Sequence, residues 1–291
     1  MTTKIKTTIL LTTCDRYDTT LPLCLMSIIN QSLIPNRVVL VDDSKNKNFY
    51  NYQILKNILS LFKLKNIQFD YYHGNSIGMT NALQIGLNHI DDDWVLKMDD
   101  DNILNYNVLE LFSNYISDSI GAISGIIVDD YSYGFIKNNP DRYPKEVDGF
   151  YNRIENIYFE FNIQMIHDQS DELKKVEHIY SNYFFNRKLV ENYPLELSPY
   201  GQREDTIITY SIFKQGYDLL IIPKAKIYHI YYNHNSGNRK FGKTYIKKNE
   251  LFFIEKLKEW NIIPDKLEIK IDEQKLYVNK KNEKIITIIN L

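Results

Sequence analysis

Apolar and polar residues follow two different periods along roughly the first 100 residues of the chain. Short apolar runs rich in β-branched residues predict buried strands, and between them apolar residues recur at the spacing of amphipathic helices. The predicted strands are Thr7–Thr13, Val38–Val41, Ile67–Tyr72 and a run from Trp94; the predicted helices begin at Thr20 or cover Leu55–Leu64 and Ile77–His89. This alternation, with short linkers, predicts a parallel sheet wrapped by helices.

The first helix has a recognisable start, because Thr20 is a good capping residue and Pro22 suits the first turn. Its expected packing face carries Leu23, Met26, Ile29 and Leu33. In the helix over Ile77–His89, the small residues Ala82 and Gly86 predict close packing against the sheet.

The pattern is less regular in the second half of the chain. From Asp129 to about Ser170 the periodicity fades and Tyr, Asn, Pro and Asp accumulate, which is typical of a loop-rich insert that lines a cleft. The segment Asn233–Lys248 is basic and rich in Gly, Ser and Asn, and predicts a mobile loop. The other predicted elements are helices over Tyr106–Ile116, Glu204–Gln215 and Leu251–Trp260 and strands over Gly121–Val128, His178–Phe185, Leu219–Ile222, Lys226–Tyr232, Leu267–Ile271 and Ile285–Ile289.

Length, charge and cysteine content limit the classes of protein to which this chain can belong. A chain of 291 residues that is 44% hydrophobic can bury one large core, so we expect one catalytic domain with a C-terminal extension. The net charge of −2 gives no global signal for nucleic acid or an anionic membrane. Cys14 and Cys24 form neither a metal-ligand spacing nor a disulfide framework. Together with the absence of a signal peptide or a run of ~18 apolar residues, this predicts a soluble cytoplasmic protein.

The strand from Trp94 ends in three consecutive carboxylates, Asp99, Asp100 and Asp101. Open α/β sheets bind ligands at the carboxyl ends of their strands. Adjacent carboxylates repel one another there unless a cation or a helix N-terminus offsets their charge. A metal site is one interpretation of the triplet, and a solvated loop or a helix cap is the other.

A glycine-rich phosphate loop is missing after the first strand, because neither G-x-G-x-x-G nor G-x-x-x-x-G-K occurs there. The strand ends carry Asp instead of Gly. A nucleotide at this edge would therefore be held by carboxylates on its base and ribose and by a cation on its phosphates.

Six segments resemble, in order and spacing, the motifs of family 2 glycosyltransferases with the GT-A fold. They are Thr8–Arg16, Val39–Asp43, Asn75–Ala82 with Gly86, Asp93–Asp101, Gly201–Asp205 with Gly216, and Ile227–His229. The resemblance covers Thr7–Tyr232 and implies an α/β fold of the GT-A type, a Rossmann-like mixed sheet flanked by helices with a small C-terminal extension. It divides the chain into a GT-A domain (1–236, with a nucleotide-sugar half at 1–128 and an acceptor half at 129–236) and a basic lid loop with a helix and strands (237–291).

The resemblance also implies roles for single residues on the donor side. Thr12, Thr13 and Asp43 would contact the nucleotide base, and Asp99 the ribose or a metal-bound water. Asp101 would bind a divalent cation, Mn²⁺ or Mg²⁺, that bridges to the diphosphate. Asp99 and His229 would assist it, with His234 as the alternative nitrogen ligand. Further donor contacts are expected from Arg16, Asn75, Asp100, Arg239 and Lys243.

The same resemblance implies the reaction. Asp205 would be the general base, with Glu204 as the second candidate, in an inverting transfer from a UDP-sugar to a glycan or other hydroxyl acceptor. Two departures, Thr12-Thr13 where the family usually has Pro-Thr and Leu83-Gln84 where Arg-Asn is common, leave the exact donor open.

Two other functions fit parts of the sequence. A sugar-nucleotide nucleotidyltransferase also uses Asp-bound Mg²⁺, but it would normally show a Gly- and Arg-rich phosphate loop. In a non-catalytic nucleotide- or glycan-binding module, Glu204 and Asp205 would only cap their helix. From Gly237 to Leu291 the chain has 13 Lys or Arg against 8 Asp or Glu, which admits a polyanionic acceptor, although a nucleic-acid acceptor is not expected.

Overall fold

A computed structural model of the chain describes residues 5–45, 48–129, 172–230, 242–260, 267–272, 275–280 and 283–290. The insert predicted from Asp129 to Ser170 lies outside these residues apart from Asp129 itself, and so do Arg239 and His234.

Strands and helices alternate along the described residues. The strands are β1 (Thr7–Thr13), β2 (Arg37–Asp42), β3 (Gln68–His73), β4 (Trp94–Asp99), β5 (Asn102–Leu104), β6 (Ile120–Asp129), β7 (Lys174–Val176), β8 (Tyr183–Asn186), β9 (Asp218–His229), β10 (Leu267–Asp272), β11 (Lys275–Lys280) and β12 (Glu283–Asn290). The helices are α1 (Thr20–Ile29), α2 (Gln53–Leu64), α3 (Met79–Asn88), α4 (Val108–Ser113), α5 (Glu204–Lys214) and α6 (Gly242–Glu259).

Most strands belong to one mixed sheet, as predicted. Its order is β3-β2-β1-β4-β8-β6-β9-β5, and β7 also pairs with β9. Strands β3, β2, β1 and β4 are parallel to one another, whereas β8 runs antiparallel to both β4 and β6. Strand β9 is parallel to β6 and antiparallel to β5 and β7. Strands β10, β11 and β12 form a separate antiparallel sheet.

Strands β1, β2 and β4 are buried on both faces, which explains their continuous apolar runs. Along β1, Ile9 and Leu11 pack into the core under α1, α2 and α4, and Leu10 packs into the core under α3 and α5. Helix α3 lies close to the sheet because Gly86 has no side chain. A Cβ at this position would come within 2.3 Å of a Leu10 methyl carbon.

Some predicted details of α1, β8, β9 and α6 are wrong. Helix α1 buries Leu21, Leu25 and Ile28, whereas Leu23 of the expected face is 50% exposed. Apolar residues lie on nearly all sides of this helix, so their spacing could not identify the side that packs against the core. Strand β8 begins at Tyr183 rather than at His178. Helix α6 begins at Gly242 rather than Leu251, so the last part of the predicted basic loop is helical.

The two strands predicted over Leu219–Ile222 and Lys226–Tyr232 are one strand, β9. Its register against β6 shifts where Gly125 pairs with Ile222 and Ile126 with Lys226. The proline-containing break in the sequence is therefore a bulge within the strand and not a loop.

The parallel strands bring their carboxyl ends to one edge of the sheet. In the register, Thr12 of β1 lies beside Asp99 of β4, and Thr13 lies beside Asp42 of β2. Ligands of open α/β folds bind at this edge, where loops replace the strands. In the part of the chain that the structure describes, no helix has the length and apolar character needed to cross a membrane.

Candidate active site

The acidic triplet forms the turn between β4 and β5. Asp99 ends β4, Asp100 and Asp101 form the turn, and β5 begins at the next residue. Because β5 pairs with β9, the turn lies beside the end of β9, and the Ile230 N–H donates to the Asp101 carbonyl at 2.8 Å. The His229 Nε2 atom lies 3.6 Å from Asp101 Oδ2. The strand pairing thus brings together the predicted metal ligands Asp101 and His229.

Arg16, in the loop after β1, offsets the charge of the triplet. Its guanidinium Nη1 lies 3.0 Å from Asp100 Oδ1 and 2.5 Å from Asp101 Oδ2. The Thr13 hydroxyl donates to the other oxygen of Asp100 at 2.6 Å. The predicted repulsion between adjacent carboxylates is therefore relieved by the chain's own cation.

The neighbouring carboxylates of Asp100 and Asp101 have opposite pKa shifts. Burial raises the pKa of Asp100 to about 7, although the Arg16 charge opposes this shift. Burial would also raise the pKa of Asp101, but the neighbouring His229 and Arg16 together lower it to about 2. Asp101 is therefore the member of this pair that stays ionised at neutral pH, as a metal ligand must.

Asp99 is directed away from the other two acids. Its Oδ1 atom lies 3.0 Å from the Lys97 ammonium, and the Ser181 hydroxyl donates to Oδ2 at 3.3 Å. Among the described residues, no three His, Cys, Asp or Glu side chains are grouped to hold a metal ion. Asp101 and His229 supply two ligands of the types that Mn²⁺ accepts, so a cation here would need further oxygens from a ligand or water.

Glu204 is a buried ion-pair partner at the start of α5. Its side chain is 2% exposed, with Oε1 at 2.8 Å from the Lys97 ammonium, and the Tyr183 hydroxyl donates to Oε2 at 2.9 Å. Burial raises the pKa of Glu204 to about 7, with Lys97 opposing the shift. Both carboxylate oxygens are thus committed to contacts inside the protein.

Asp205 is the next residue of α5 and is more accessible, with 8% of its surface exposed. The Ser181 N–H donates to Oδ2 and the Thr206 N–H donates to Oδ1, each at 2.7 Å. These two backbone donors fix the direction of the carboxylate. The contact with Thr206 satisfies one of the first N–H groups of the helix, so a stabilising role at the helix start is present as well.

Lys97 and Ser181 connect the two acidic motifs, and sequence reasoning missed both. Lys97 lies in the centre of β4 and is 2% exposed. A strand places alternate side chains on one face, so a lysine two positions before Asp99 had to lie on the same side of the sheet as that carboxylate. An isolated lysine within an apolar run was the signal that could have identified it.

The predicted base-binding residues lie on the other side of the triplet, at the ends of β1 and β2. The Asp43 carboxylate is 7% exposed and accepts from the Ile77 N–H at 3.2 Å. Burial raises its pKa to about 6, against the opposing effect of backbone N–H groups in the loop that follows β3. A Cβ on Gly74 would come within 2.7 Å of Asp43 Oδ1, so only glycine allows this close approach. In the same loop, Asn75 has a positive φ of 61° and an exposed side chain.

The remaining predicted donor contacts divide into two groups. Thr12 and Thr13 are buried beside the triplet, and their contact with the base stays a prediction. Lys243 lies in α6, but its side chain is outside the described part of the chain, as is the whole of Arg239.

Solved structures share this fold at low sequence identity. GalNAc-T7 with UDP, GalNAc and Mn²⁺ aligns with a TM-score of 0.56 at 15% identity, covering 79% of this chain and 45% of that one. The mannosyltransferase PcManGT from Pyrobaculum calidifontis, with GDP-Man and Mn²⁺, aligns with a TM-score of 0.54 at 15% identity, covering 80% and 59%. S. aureus TarS 1-349 with UDP aligns with a TM-score of 0.52 at 15% identity, covering 78% and 61%.

This chain thus spans between 45% and 61% of the length of these three proteins, all of which have the GT-A fold. No curated protein sequence matches the chain. The model of glycosyl transferase family 2, in contrast, matches residues 8–193, which is more than half of the chain. The chain therefore has the GT-A fold and belongs to glycosyl transferase family 2.

Proposed function

We propose that this protein transfers a sugar from a UDP-sugar to an acceptor hydroxyl with inversion at the anomeric carbon, assisted by Mn²⁺ or Mg²⁺. The observation that carries the proposal is the arrangement of two acidic groups at one edge of the sheet. The Asp101–His229 pair lies on the donor side and Asp205 lies on α5, and Asp99, Lys97 and Ser181 connect them. A displacement reaction needs one group that stabilises the negative charge of the leaving diphosphate and a base that takes the proton of the nucleophile.

On the donor side, the nucleotide base would bind at Asp43, Thr12 and Thr13. A carboxylate that accepts hydrogen bonds suits the N–H edge of a pyrimidine such as uracil. GalNAc-T7 and TarS have structures with UDP, whereas PcManGT has one with GDP-Man. The Asp43 carboxylate and the two UDP-containing relatives support UDP as the nucleotide.

The diphosphate would lie at the acidic turn. A bound divalent cation would neutralise negative charge that develops on the departing nucleoside diphosphate. Asp101 and His229 would hold this cation, and Arg16 adds a fixed positive charge at the same turn. Asp99 would contact the ribose or a water on the cation.

On the acceptor side, Asp205 would act as the base. The acceptor hydroxyl gives its proton to the Asp205 carboxylate while its oxygen bonds to the anomeric carbon and the bond from that carbon to the diphosphate breaks. The N–H groups of Ser181 and Thr206 fix the orientation of this carboxylate. Attack on the face opposite the leaving group inverts the anomeric centre.

Donor breakdown with and without Mn²⁺ tests this function against its alternatives. The assay incubates the protein with UDP-glucose, UDP-galactose, UDP-GlcNAc, UDP-GalNAc and GDP-mannose and measures the products. Cation-dependent release of UDP is the expected result. Release of pyrophosphate would instead indicate a nucleotidyltransferase, and donor binding without any product would indicate a non-catalytic binding module.

A further inference from the structure

A buried lysine, Lys97, links the two sides of the candidate active site. Its ammonium lies 3.0 Å from Asp99 Oδ1 and 2.8 Å from Glu204 Oε1, and it donates to the Ser181 carbonyl at 3.1 Å. Each of these three partners lies next to a group that is proposed to react. Asp99 would contact the donor, Glu204 directly precedes Asp205 in the sequence, and the Ser181 N–H donates to Asp205.

Ser181 uses every one of its polar groups in this link. Its carbonyl accepts from Lys97, its N–H donates to Asp205, and its hydroxyl donates to Asp99. A positive φ of 68°, which non-glycine residues rarely adopt, directs these groups to three different partners. Such a conformation persists where its surroundings compensate for the strain.

We propose that Lys97 is a positioning residue that holds Asp99 of the donor side and Asp205 of the acceptor side at one fixed separation. The inference rests on the proposed transferase function. Lys97 contacts neither reactant in this scheme and acts through Asp99 and through the Ser181 peptide. Small errors in the relative position of reacting groups are costly, because a displacement of 1 Å can lower a rate by about 100-fold.

A purely stabilising ion pair is the competing explanation, and single substitution of Lys97 cannot exclude it. Lys97→Met would leave Glu204 buried without its cation, which is strongly destabilising by itself. A second substitution, Glu204→Gln, removes that unpaired charge. The informative comparison is therefore between Glu204→Gln and the double variant Lys97→Met/Glu204→Gln. Both lack the Lys97–Glu204 ion pair, and only the double variant also lacks the contacts of Lys97 with Asp99 and the Ser181 carbonyl.

The test measures UDP release from the four UDP-sugars with Mn²⁺, divided by the number of UDP-binding sites found by calorimetry. This normalisation counts only molecules with a folded donor site. Lys175→Met is the matched control, because Lys175 forms an exposed ion pair with Asp218, at the end of β9 opposite to His229. We expect wild-type rates for Lys175→Met and a rate for the double variant that is roughly 100-fold below that of Glu204→Gln.

Equal rates per UDP-binding site in the double variant and in Glu204→Gln would overturn the positioning role and leave the transferase function intact. A different result, in which the wild type binds UDP but releases none from any donor, would overturn the proposed function and this inference with it.

Discussion

The exchange of Asp205 for asparagine separates catalysis from helix stabilisation. Each oxygen of Asp205 accepts a backbone hydrogen bond, from the N–H groups of Ser181 and Thr206, and Oδ1 also accepts from the Thr206 hydroxyl at 3.4 Å. Asparagine keeps the shape and one acceptor oxygen, but its NH₂ group would face a backbone N–H. We therefore expect Asp205→Asn to lose one of the two backbone hydrogen bonds.

The loss of this hydrogen bond should change the stability of the fold only slightly, whereas the transfer rate should fall strongly. One hydrogen bond contributes about 1 kcal/mol to the free energy of unfolding, which corresponds to a decrease in Tm of about 2–4 °C for a domain of this size. An amide cannot accept the acceptor's proton, so transfer should fall by roughly 100-fold or more. UDP affinity should stay unchanged because Asp205 lies on the acceptor side.

Glu204→Gln is the matched control for this prediction. Glu204 is buried between Lys97 and Tyr183, and burial raises its pKa to about 7. Glu204→Gln would weaken the contact with Lys97 but also remove the cost of burying a charge, so stability should change by less than about 3 kcal/mol. Turnover per UDP-binding site should stay within about tenfold of wild type, since the amide oxygen still accepts from Lys97. Thermal unfolding, calorimetry with UDP and a UDP-release assay provide all three quantities.

The reasoning would be refuted by an Asp205→Asn variant that turns over normally. If Glu204→Gln were then inactive, the base would be Glu204, and its ion pair with Lys97 would have to open during turnover. If both variants were active, neither carboxylate would be the base, and the inverting mechanism proposed above would be wrong.

Two further predictions concern the donor side. Asp101→Asn should weaken Mn²⁺ binding in the presence of UDP by about 10-fold or more. His229→Ala should weaken it by less, because only Asp101 supplies a negative charge to the cation. Calorimetry that shows wild-type Mn²⁺ affinity for Asp101→Asn would contradict the metal assignment. Asp43→Asn should weaken UDP binding yet stabilise the fold at pH 8. In the folded state the pKa of Asp43 is about 6, above its ordinary value, so ionisation of Asp43 lowers the stability of the fold as pH rises through 4 to 6. Asparagine does not ionise and avoids this loss. Urea unfolding should show this gain vanishing near pH 4, and a gain independent of pH would exclude titration of Asp43 as its cause.

The first half of the fold could be predicted because its elements are long and strongly periodic. The predicted bounds of the strand over Thr7–Thr13 are confirmed, and the strand from Trp94 ends at Asp99 as the acidic triplet suggested. Strand β5 could not be predicted. It has three residues, too few for a periodic signal, and it exists because it pairs with β9 more than 100 residues further along the chain.

The candidate site could likewise be predicted only in part from the sequence. Asp99, Asp101 and Asp205 could be proposed as site residues because they lie at or next to the ends of regular elements and resemble family motifs. Their mutual geometry could not be predicted, because it depends on the pairing of β4 with β8 and of β5 with β9. The contacts of Arg16 with the triplet and of Lys97 with Ser181 and Glu204 are likewise long-range contacts, which no local pattern encodes.

The antiparallel strand β8 explains why the two acidic motifs meet. In a purely parallel sheet, each strand would bring only its carboxyl end to the ligand-binding edge. Because β8 runs in the opposite direction between β4 and β6, its amino end reaches that edge, and Asn182, just before it, accepts from the Asp99 N–H at 3.3 Å. Ser181 is thereby placed between the end of β4 and the start of α5. The reversal of one strand is what allows a single residue to contact both Asp99 and Asp205.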